Sequence, residues 1–190
     1  MDNREFFNEL AFKWDEMCNH DDEKIKKIIE LSSIRGGSNI LDVGTGTGIL
    51  ISYLLKENPY SITAVDISEN MIAVAKEKFK DNRVKFMVKN IMEFNEKGFD
   101  YIFLYSVYPH FDNKEELFKH LFGLLNPEGR IVIAHSESRE KINNVHAKSS
   151  VVRNDVLPKA EITVGIMEPY FSIDKVIDSE DMYYISGTKK

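Results

Sequence analysis

Three glycines at alternate positions, Gly44, Gly46 and Gly48, interrupt the stretch NILDVGTGTGIL at residues 39–50, and two acids bracket them. Asp42 stands just before the first glycine. Asp66 follows the last by 18 positions (66 − 48), at the end of another apolar run, SITAVD. Glycine in such a turn lets the backbone approach a ligand closely, and a carboxylate about 20 residues on is placed to accept the hydroxyls of a ribose. A nucleoside is implied, and the charge around the turn says which kind. A dinucleotide fingerprint, G-x-G-x-x-G, rests a pyrophosphate on the N-terminus of the following helix. This chain has G-x-G-x-G instead, with Asp42 inside the turn and neither Lys nor Arg within LDVGTGTGIL. That combination favours a ligand with ribose, adenine and positive charge over one with phosphates. The plainer account of the same residues is that the glycines only permit a tight turn and Asp66 caps the next helix, a role Ser68 can also fill.

Proton-transfer chemistry near neutral pH points to histidine, and the chain has five. His110, in YSVYPHF, and His135, in IAHSES, each follow an apolar run and are the candidate bases or acceptor-orienting groups. His20 belongs to a leading flank that also carries Trp14. The segment HSESREKINNVH concentrates His135, Glu137, Arg139, Asn143 and His146, and its polarity reads as acceptor recognition, with Trp14 and His20 completing that set. Taken singly, each histidine reads as a polar helix cap or surface residue, and only their collective placement shifts that; His120, inside FKHLF, reads as structural. A divalent metal on His20, His135, His146 and Glu137 is the alternative, because nitrogen and carboxylate ligands suit one; the spacing matches no compact metal motif.

These groups need a frame. Short apolar runs at 39–43, 61–66, 84–88, 101–105 and 130–134 suit strands covered on both faces, as in a parallel sheet. Helical spacing separates them, in ILISYLLKEN, SENMIAVAKEKFK and KEELFKHLFGLL, and the β-α-β alternation predicts an α/β, doubly wound open sheet with right-handed crossovers. NPEG, at 126–129, reads as the turn that stops a helix and launches the fifth strand. Ligands bind such sheets beyond the carboxyl ends of the strands, which is where the glycine turn, Asp66, His110 and His135 fall. The leading flank predicts one or two helices over the sheet, with Phe6, Phe12 and Trp14 packed inward and Trp14 or Phe7 able to close over a cofactor. The polar segment after residue 135 resists assignment. Beyond it a helix through PKAEITVGIMEPYF and strands near SIDKVI and MYYISGT are expected, with Tyr183 and Tyr184 facing opposite ways, one inward and one outward. One domain spans 1–190: a helical flank or lid over 1–35, a cofactor-binding core over 36–135 and a substrate-side segment over 136–190.

The set LDVGTGTG, AVDIS, FDYIFLYSV and LLNPEGRIVIA, in this order and spacing, resembles the class I S-adenosylmethionine-dependent methyltransferase family over roughly residues 5–189. The resemblance implies a mostly parallel, seven-stranded Rossmann-like sheet, S-adenosylmethionine as cofactor, and methyl transfer as the activity. Residue by residue, Asp42 resembles the acid near the methionine moiety, and Gly44, Gly46 and Gly48 resemble the turn under the cofactor. Asp66 resembles the ribose carboxylate, and Ile67 the apolar residue against the adenine face. Asn90 stands where the family commonly has Asp near the adenine amino group; its amide oxygen can accept that hydrogen bond without the charge. Thr45, Ile91 and Ser106 complete the implied cofactor set, with Ser106 and Val107 at the methionine end.

Composition narrows the acceptor. A formal charge of −6 argues against a polyanionic partner, and the densest basic stretch, KEKFKDNRVKFMVK, is interleaved with Glu77 and Asp81 and reads as a solvated face. The Asp/Asn-Pro-Pro-aromatic signature of exocyclic-amine methylation is absent, the corresponding stretch being SVYPHF. A small-molecule acceptor is therefore expected, ahead of an RNA methyltransferase, an NAD-linked reductase or a cofactor-binding module without turnover. A single cysteine, Cys18, the charged start of the chain and the lack of a long apolar span predict a cytoplasmic setting with no membrane contact.

Overall fold

Apolar runs buried nearly throughout, alternating with helical segments, assemble into a seven-stranded sheet of order β3-β2-β1-β4-β5-β7-β6. The computed structural model describes residues 2–18 and 20–190. The strands are β1 (Asn39–Val43), β2 (Ser61–Asp66), β3 (Val84–Val88), β4 (Phe99–Tyr105), β5 (Leu125–His135), β6 (Phe171–Asp178) and β7 (Tyr183–Lys189). Every neighbouring pair from β3 to β5 is parallel, and β7 runs antiparallel to both β5 and β6. The fold is therefore the mostly parallel, doubly wound sheet that the sequence implied.

Alternate residues of each central strand feed separate layers. Leu41, Val43, Ile102, Leu104, Ile131 and Ile133 join a core closed by α6 (Lys114–Leu124) and α8 (Ala160–Met167), whereas Ile40, Ile62, Tyr101, Phe103 and Val132 face α3 (Asp22–Ser32) and α4 (Ile51–Lys56). Coverage on both sides corrects the reading of the tyrosine pair. Tyr183 and Tyr184 do face opposite ways, yet both are wholly buried, each with its hydroxyl partnered: Tyr183 donates to Thr163 Oγ1 at 2.9 Å, and Tyr184 lies 3.3 Å from Ser32 Oγ.

NPEG departs from expectation too. Helix α6 runs directly into β5, and residues 126–129 lie within that strand as an irregularity, so that Phe99 pairs with Leu125 while Tyr101 pairs with Arg130. Glu128 takes a positive φ of 59° there, which an ordinary helix-stopping turn does not require. The segment left unassigned folds as α7 (Arg139–His146), capped by Ser138.

The leading flank forms α1 (Asn3–Leu10), α2 (Trp14–Met17) and α3, one more helix than the sequence suggested. Asn8 moors α1 to the start of α5 (Glu69–Lys78): its side-chain oxygen accepts from Ser68 Oγ at 2.6 Å and from the Asn70 amide at 3.1 Å, and Arg4 pairs with Glu69. Farther on, Asp15 accepts from Thr47 Oγ1 at 2.5 Å and Lys78 Nζ at 2.7 Å. Phe12, expected to pack inward, is instead 71% exposed. The basic stretch is largely neutralised, with Lys78 on Asp15, Lys80 on Glu77, Arg83 on Asp81, Lys85 on Glu96 and Lys89 on Glu93. Among the described residues no helix is long and apolar enough to cross a membrane.

Candidate active site

At the carboxyl edge of the sheet, where the chain crosses from β1–β3 to β4 and β5, the loops part around a cavity of about 360 Å³. The ends of β1 and β2 build its floor. Gly44 has φ 67° and Gly46 φ 55°, values that disfavour any side chain, and a Cβ on Gly44 would overlap the Val107 side chain. Asp66, 8% exposed, holds the turn from below: its two carboxylate oxygens accept from the Gly46 amide and the Ser68 amide, each at 2.8 Å. Burial pushes this carboxyl upward, opposed by the backbone N–H groups of Ser68, Gly46 and Ile67. Each oxygen retains a lone pair, so the helix-capping account and the ribose account are compatible at one residue.

Ile67, 36% exposed, and Ile91, Met92 and Asn90 line the β2–β3 side of the cavity. Asn90 spends its side-chain oxygen on the Met92 amide at 3.0 Å, as the cap of a short 3₁₀ turn. Ser106 holds a left-handed φ of 55° at the end of β4, its amide pinned to the Ala134 carbonyl at 2.9 Å; strain of this kind in a non-glycine persists where the surroundings impose it. From above, Asn3, Phe7, Trp14 and His20 close the cavity. Phe7 meets both Trp14 and His110 edge to face, at centroid distances of 5.6 and 5.2 Å.

Several expected residues stand elsewhere. Asp42 is buried beneath the turn and off the cavity wall, accepting from Thr45 Oγ1 at 2.6 Å; burial pushes its carboxyl to about 7, helped by the neighbouring Asp66 charge. Gly48 is also off the wall. Its φ of 86° and the Phe79 ring, 2.8 Å from where a Cβ would stand, make it a packing position for the end of α5. His135 is 1% exposed, packed on Tyr183, and has no hydrogen-bond partner for either ring nitrogen among the described residues; burial, then the charges of His110 and His146, depress it to about 3. Buried in this way, it is not placed to take a proton from a ligand in the cavity. Glu137 pairs with Lys141, Arg139 with Asp178, and His146 Nδ1 lies 2.5 Å from the Asp155 carbonyl, so none of the three lies on the wall. Among the described residues no three His, Cys, Asp or Glu side chains converge as metal ligands, and the metal alternative has no geometric basis.

Two histidines do face the cavity. His20 Nδ1 lies 2.9 Å from the hydroxyl of Tyr105, which donates to Ser136 Oγ at 2.9 Å, and burial lowers the His20 imidazole. His110 follows β4 and its Nδ1 lies 2.6 Å from Asp155 Oδ2. Asp155 and Tyr105 were not singled out from sequence. Tyr105 was visible only as an apolar strand residue, and Asp155 sits in a polar segment with no periodicity to place it.

The family described as "Methyltransferase domain" matches residues 41–133, the span from β1 to β5 that builds this floor. That match, together with the relatives and the fold below, supports a class I S-adenosylmethionine-dependent methyltransferase. It is 40% identical over 99 residues to malonyl-[acyl-carrier protein] O-methyltransferase 1 of Ilyobacter polytropus, covering 50% of this chain and 37% of that one. It is 31% identical over 117 residues to phosphoethanolamine N-methyltransferase 2 of Caenorhabditis elegans, covering 59% and 27%. The chain thus spans between about a quarter and two fifths of the length of these two curated relatives. In fold it is similar to the N-methyltransferase NodS of Bradyrhizobium japonicum solved with S-adenosylhomocysteine, at a TM-score of 0.71 and 18% identity over 88% of this chain and 86% of that one. S-adenosylmethionine is the cofactor of the family, and the residues present fit it. The glycine cradle admits no side chain at Gly44, Asp66 offers two lone pairs, Ile67 offers an exposed apolar face, and the turn carries no cation.

Proposed function

We propose that this chain transfers a methyl group from S-adenosylmethionine to a small-molecule nucleophile that carries a proton at neutral pH and lacks a carboxylate or phosphate, with His110 as general base. The observation that carries the reading is the composition of the cavity wall. Among the described residues that line it, Lys89 is the sole Lys or Arg, and it follows β3, on the far side of β2 and β1 from β4 and His110. The wall beside His110 carries Phe7, Val107, Phe111, Asp112 and Glu116. An anionic acceptor there would lose hydration without gaining a cationic partner, which costs several kcal/mol.

The cofactor supplies an electrophilic methyl on a sulfonium. The chain's own part is orientation, water exclusion and proton removal. The glycine turn and Asp66 fix one side of the cavity, Phe7 and Trp14 cover it, and His110 takes a proton from the acceptor on the β4 side. Holding the reactants in line can account for most of the acceleration, with a base contributing about 10²–10⁴-fold. This reading differs from the chemistry that the relatives' names describe. A malonyl group brings its own carboxylate nucleophile, and phosphoethanolamine brings a phosphate that this wall leaves unpaired. Nucleic acid is not part of the reading, supported by the paired state of the basic stretch. A cytoplasmic setting is taken with it, resting on the single Cys18.

Tritiated S-adenosylmethionine offered with ethanolamine, histamine, tyramine and 2-mercaptoethanol, against phosphoethanolamine and malonate, tests the proposal. Transfer to members of the first group and not the second is expected. Equal or preferred transfer to malonate or phosphoethanolamine overturns it.

A further inference from the structure

The polar segment between α7 and α8 carries an acid whose placement has a chemical consequence. Asp155 Oδ2 lies 2.6 Å from His110 Nδ1, across 45 positions of sequence and between two part-buried side chains that are 12% and 15% exposed. Burial raises the Asp155 carboxyl, but the hydrogen bond and charge of His110, with Asn3 and His146, outweigh it and hold the group below its ordinary range. An ionised carboxylate only accepts, so His110 donates from Nδ1–H, and in the neutral ring this leaves Nε2, on the opposite edge, as the lone pair.

The acid is itself held from three directions. His146 Nδ1 lies 2.5 Å from the Asp155 carbonyl, and the Asp155 amide donates to the Val152 carbonyl at 2.9 Å. Asn143, on α7, brackets the next residues in both senses: its oxygen accepts from the Leu157 amide at 2.8 Å and its nitrogen donates to the Leu157 carbonyl at 3.1 Å. Asn3 of the lid reaches Oδ2 at 3.5 Å. Two histidines from different elements thus converge on one residue, with their rings 5.1 Å apart. Surface ion pairs are rarely built this way, because an exposed pair repays little of the entropy of ordering it.

We propose that Asp155 is the positioning residue of the site: it locks His110 in the Nδ1–H tautomer and so keeps Nε2 free to accept the proton of the methyl acceptor. This rests on the reading of His110 as base. In the reaction the acceptor's X–H bond breaks with its electron pair kept on X, the proton passes to His110 Nε2, and the imidazolium that results is stabilised by the Asp155 carboxylate, which stays ionised. X would then bond to the methyl carbon as the carbon–sulfur bond of the cofactor broke toward sulfur: a neutral thiol or phenol would give a neutral methylated product and an ammonium a methylated ammonium, in each case with a neutral thioether and one proton on His110.

The test compares Asp155→Asn, Asp155→Glu and His110→Ala in the full chain. Nitrogen-15 spectra of the imidazoles should show His110 as Nδ1–H in the parent and Nε2–H in Asp155→Asn, whose amide can present an N–H to Nδ1. Calorimetry with S-adenosylhomocysteine should give affinities within threefold across all variants. Turnover on the amine and thiol panel should fall about 10²–10⁴-fold in kcat for Asp155→Asn with KM little changed, and recover in part in Asp155→Glu. An unchanged His110 tautomer in Asp155→Asn overturns the proposal whether or not an acceptor is found. Loss of turnover in His110→Ala alone, with Asp155→Asn fully active, overturns it and leaves the base intact. Full turnover in His110→Ala removes the base reading, and the positioning role with it.

Discussion

Replacing Asp66 with Asn separates its hold on the glycine turn from the ribose contact that the resemblance implies for it. Its oxygens already accept from the Gly46 and Ser68 amides at 2.8 Å each, leaving one lone pair apiece for the two ribose hydroxyls. An Asn side chain keeps one acceptor oxygen and turns an NH₂ toward the other backbone amide. One buried N–H is then left facing a donor, at a cost of about 1–3 kcal/mol to folding, which lowers Tm by roughly 2–4 °C per kcal/mol in a chain of this size. Cofactor binding suffers separately. Two charge-assisted hydrogen bonds, each worth about 1.5–3 kcal/mol, become at most one neutral bond, and part of the loss returns because a less charged group is desolvated on binding. The net penalty is about 2–4 kcal/mol, or roughly 30–1,000-fold in Kd. Calorimetric titration of S-adenosylhomocysteine at 25 °C, where the variant stays folded, reads the second number and a thermal scan reads the first. A Kd within threefold of the parent, with Tm lowered as computed, would show that Asp66 serves the turn alone and refute the ribose assignment.

Three further outcomes follow from the same geometry. Gly48→Ala should lose about 2–4 kcal/mol, from a φ of 86° that L-residues avoid and a Cβ pressed on Phe79, yet keep S-adenosylhomocysteine affinity near the parent's because Gly48 is off the wall; a large loss of affinity in the folded variant counts against that placement. Asp42→Asn bears on a carboxyl raised to about 7: the folded protein binds this proton more tightly than the unfolded chain, so the group's contribution is full below pH 3.8 and is lost as pH rises through 7. The variant's advantage in urea unfolding should accordingly grow between pH 4 and 7 to a few kcal/mol, and a constant difference over that range would contradict the burial argument. His135→Leu should stabilise by about 1–3 kcal/mol at pH 7.5, since both ring nitrogens lack partners among the described residues; below pH 6.5 the unfolded histidine takes a proton that the folded one, at about 3, refuses, so the advantage widens toward pH 5, and a variant less stable than the parent there sinks the idea.

Local chemistry settled a good deal of this molecule before any packing was known. The bounds of β1, β2 and β3 match the apolar runs at 39–43, 61–66 and 84–88; for β1 and β2 the reason is cover on both faces, which demands a largely apolar run, whereas β3, at the sheet edge, leaves Lys85 and Val88 exposed and is bounded by the turn residues at its ends. Gly44, Gly46 and Asp66 were legible for the same reason, since positive φ and an acid after a buried strand leave marks in a single stretch of chain. Tertiary structure alone decided which of the polar residues share a cavity. His110 and His135 look equivalent in sequence, each just beyond a strand at the carboxyl edge. One reaches the cavity wall and the other is enclosed against Tyr183, a difference set by the β7 pairing that brings Tyr183 opposite His135. Asp155 lies 45 positions from His110 in a segment without periodicity, and nothing nearer than the folded packing of α7, the lid and β4 could place it at 2.6 Å. Side-chain periodicity is a property of consecutive residues and survives in the unfolded sequence, whereas a hydrogen bond across distant elements exists only after the chain has paid the entropy of bringing them together.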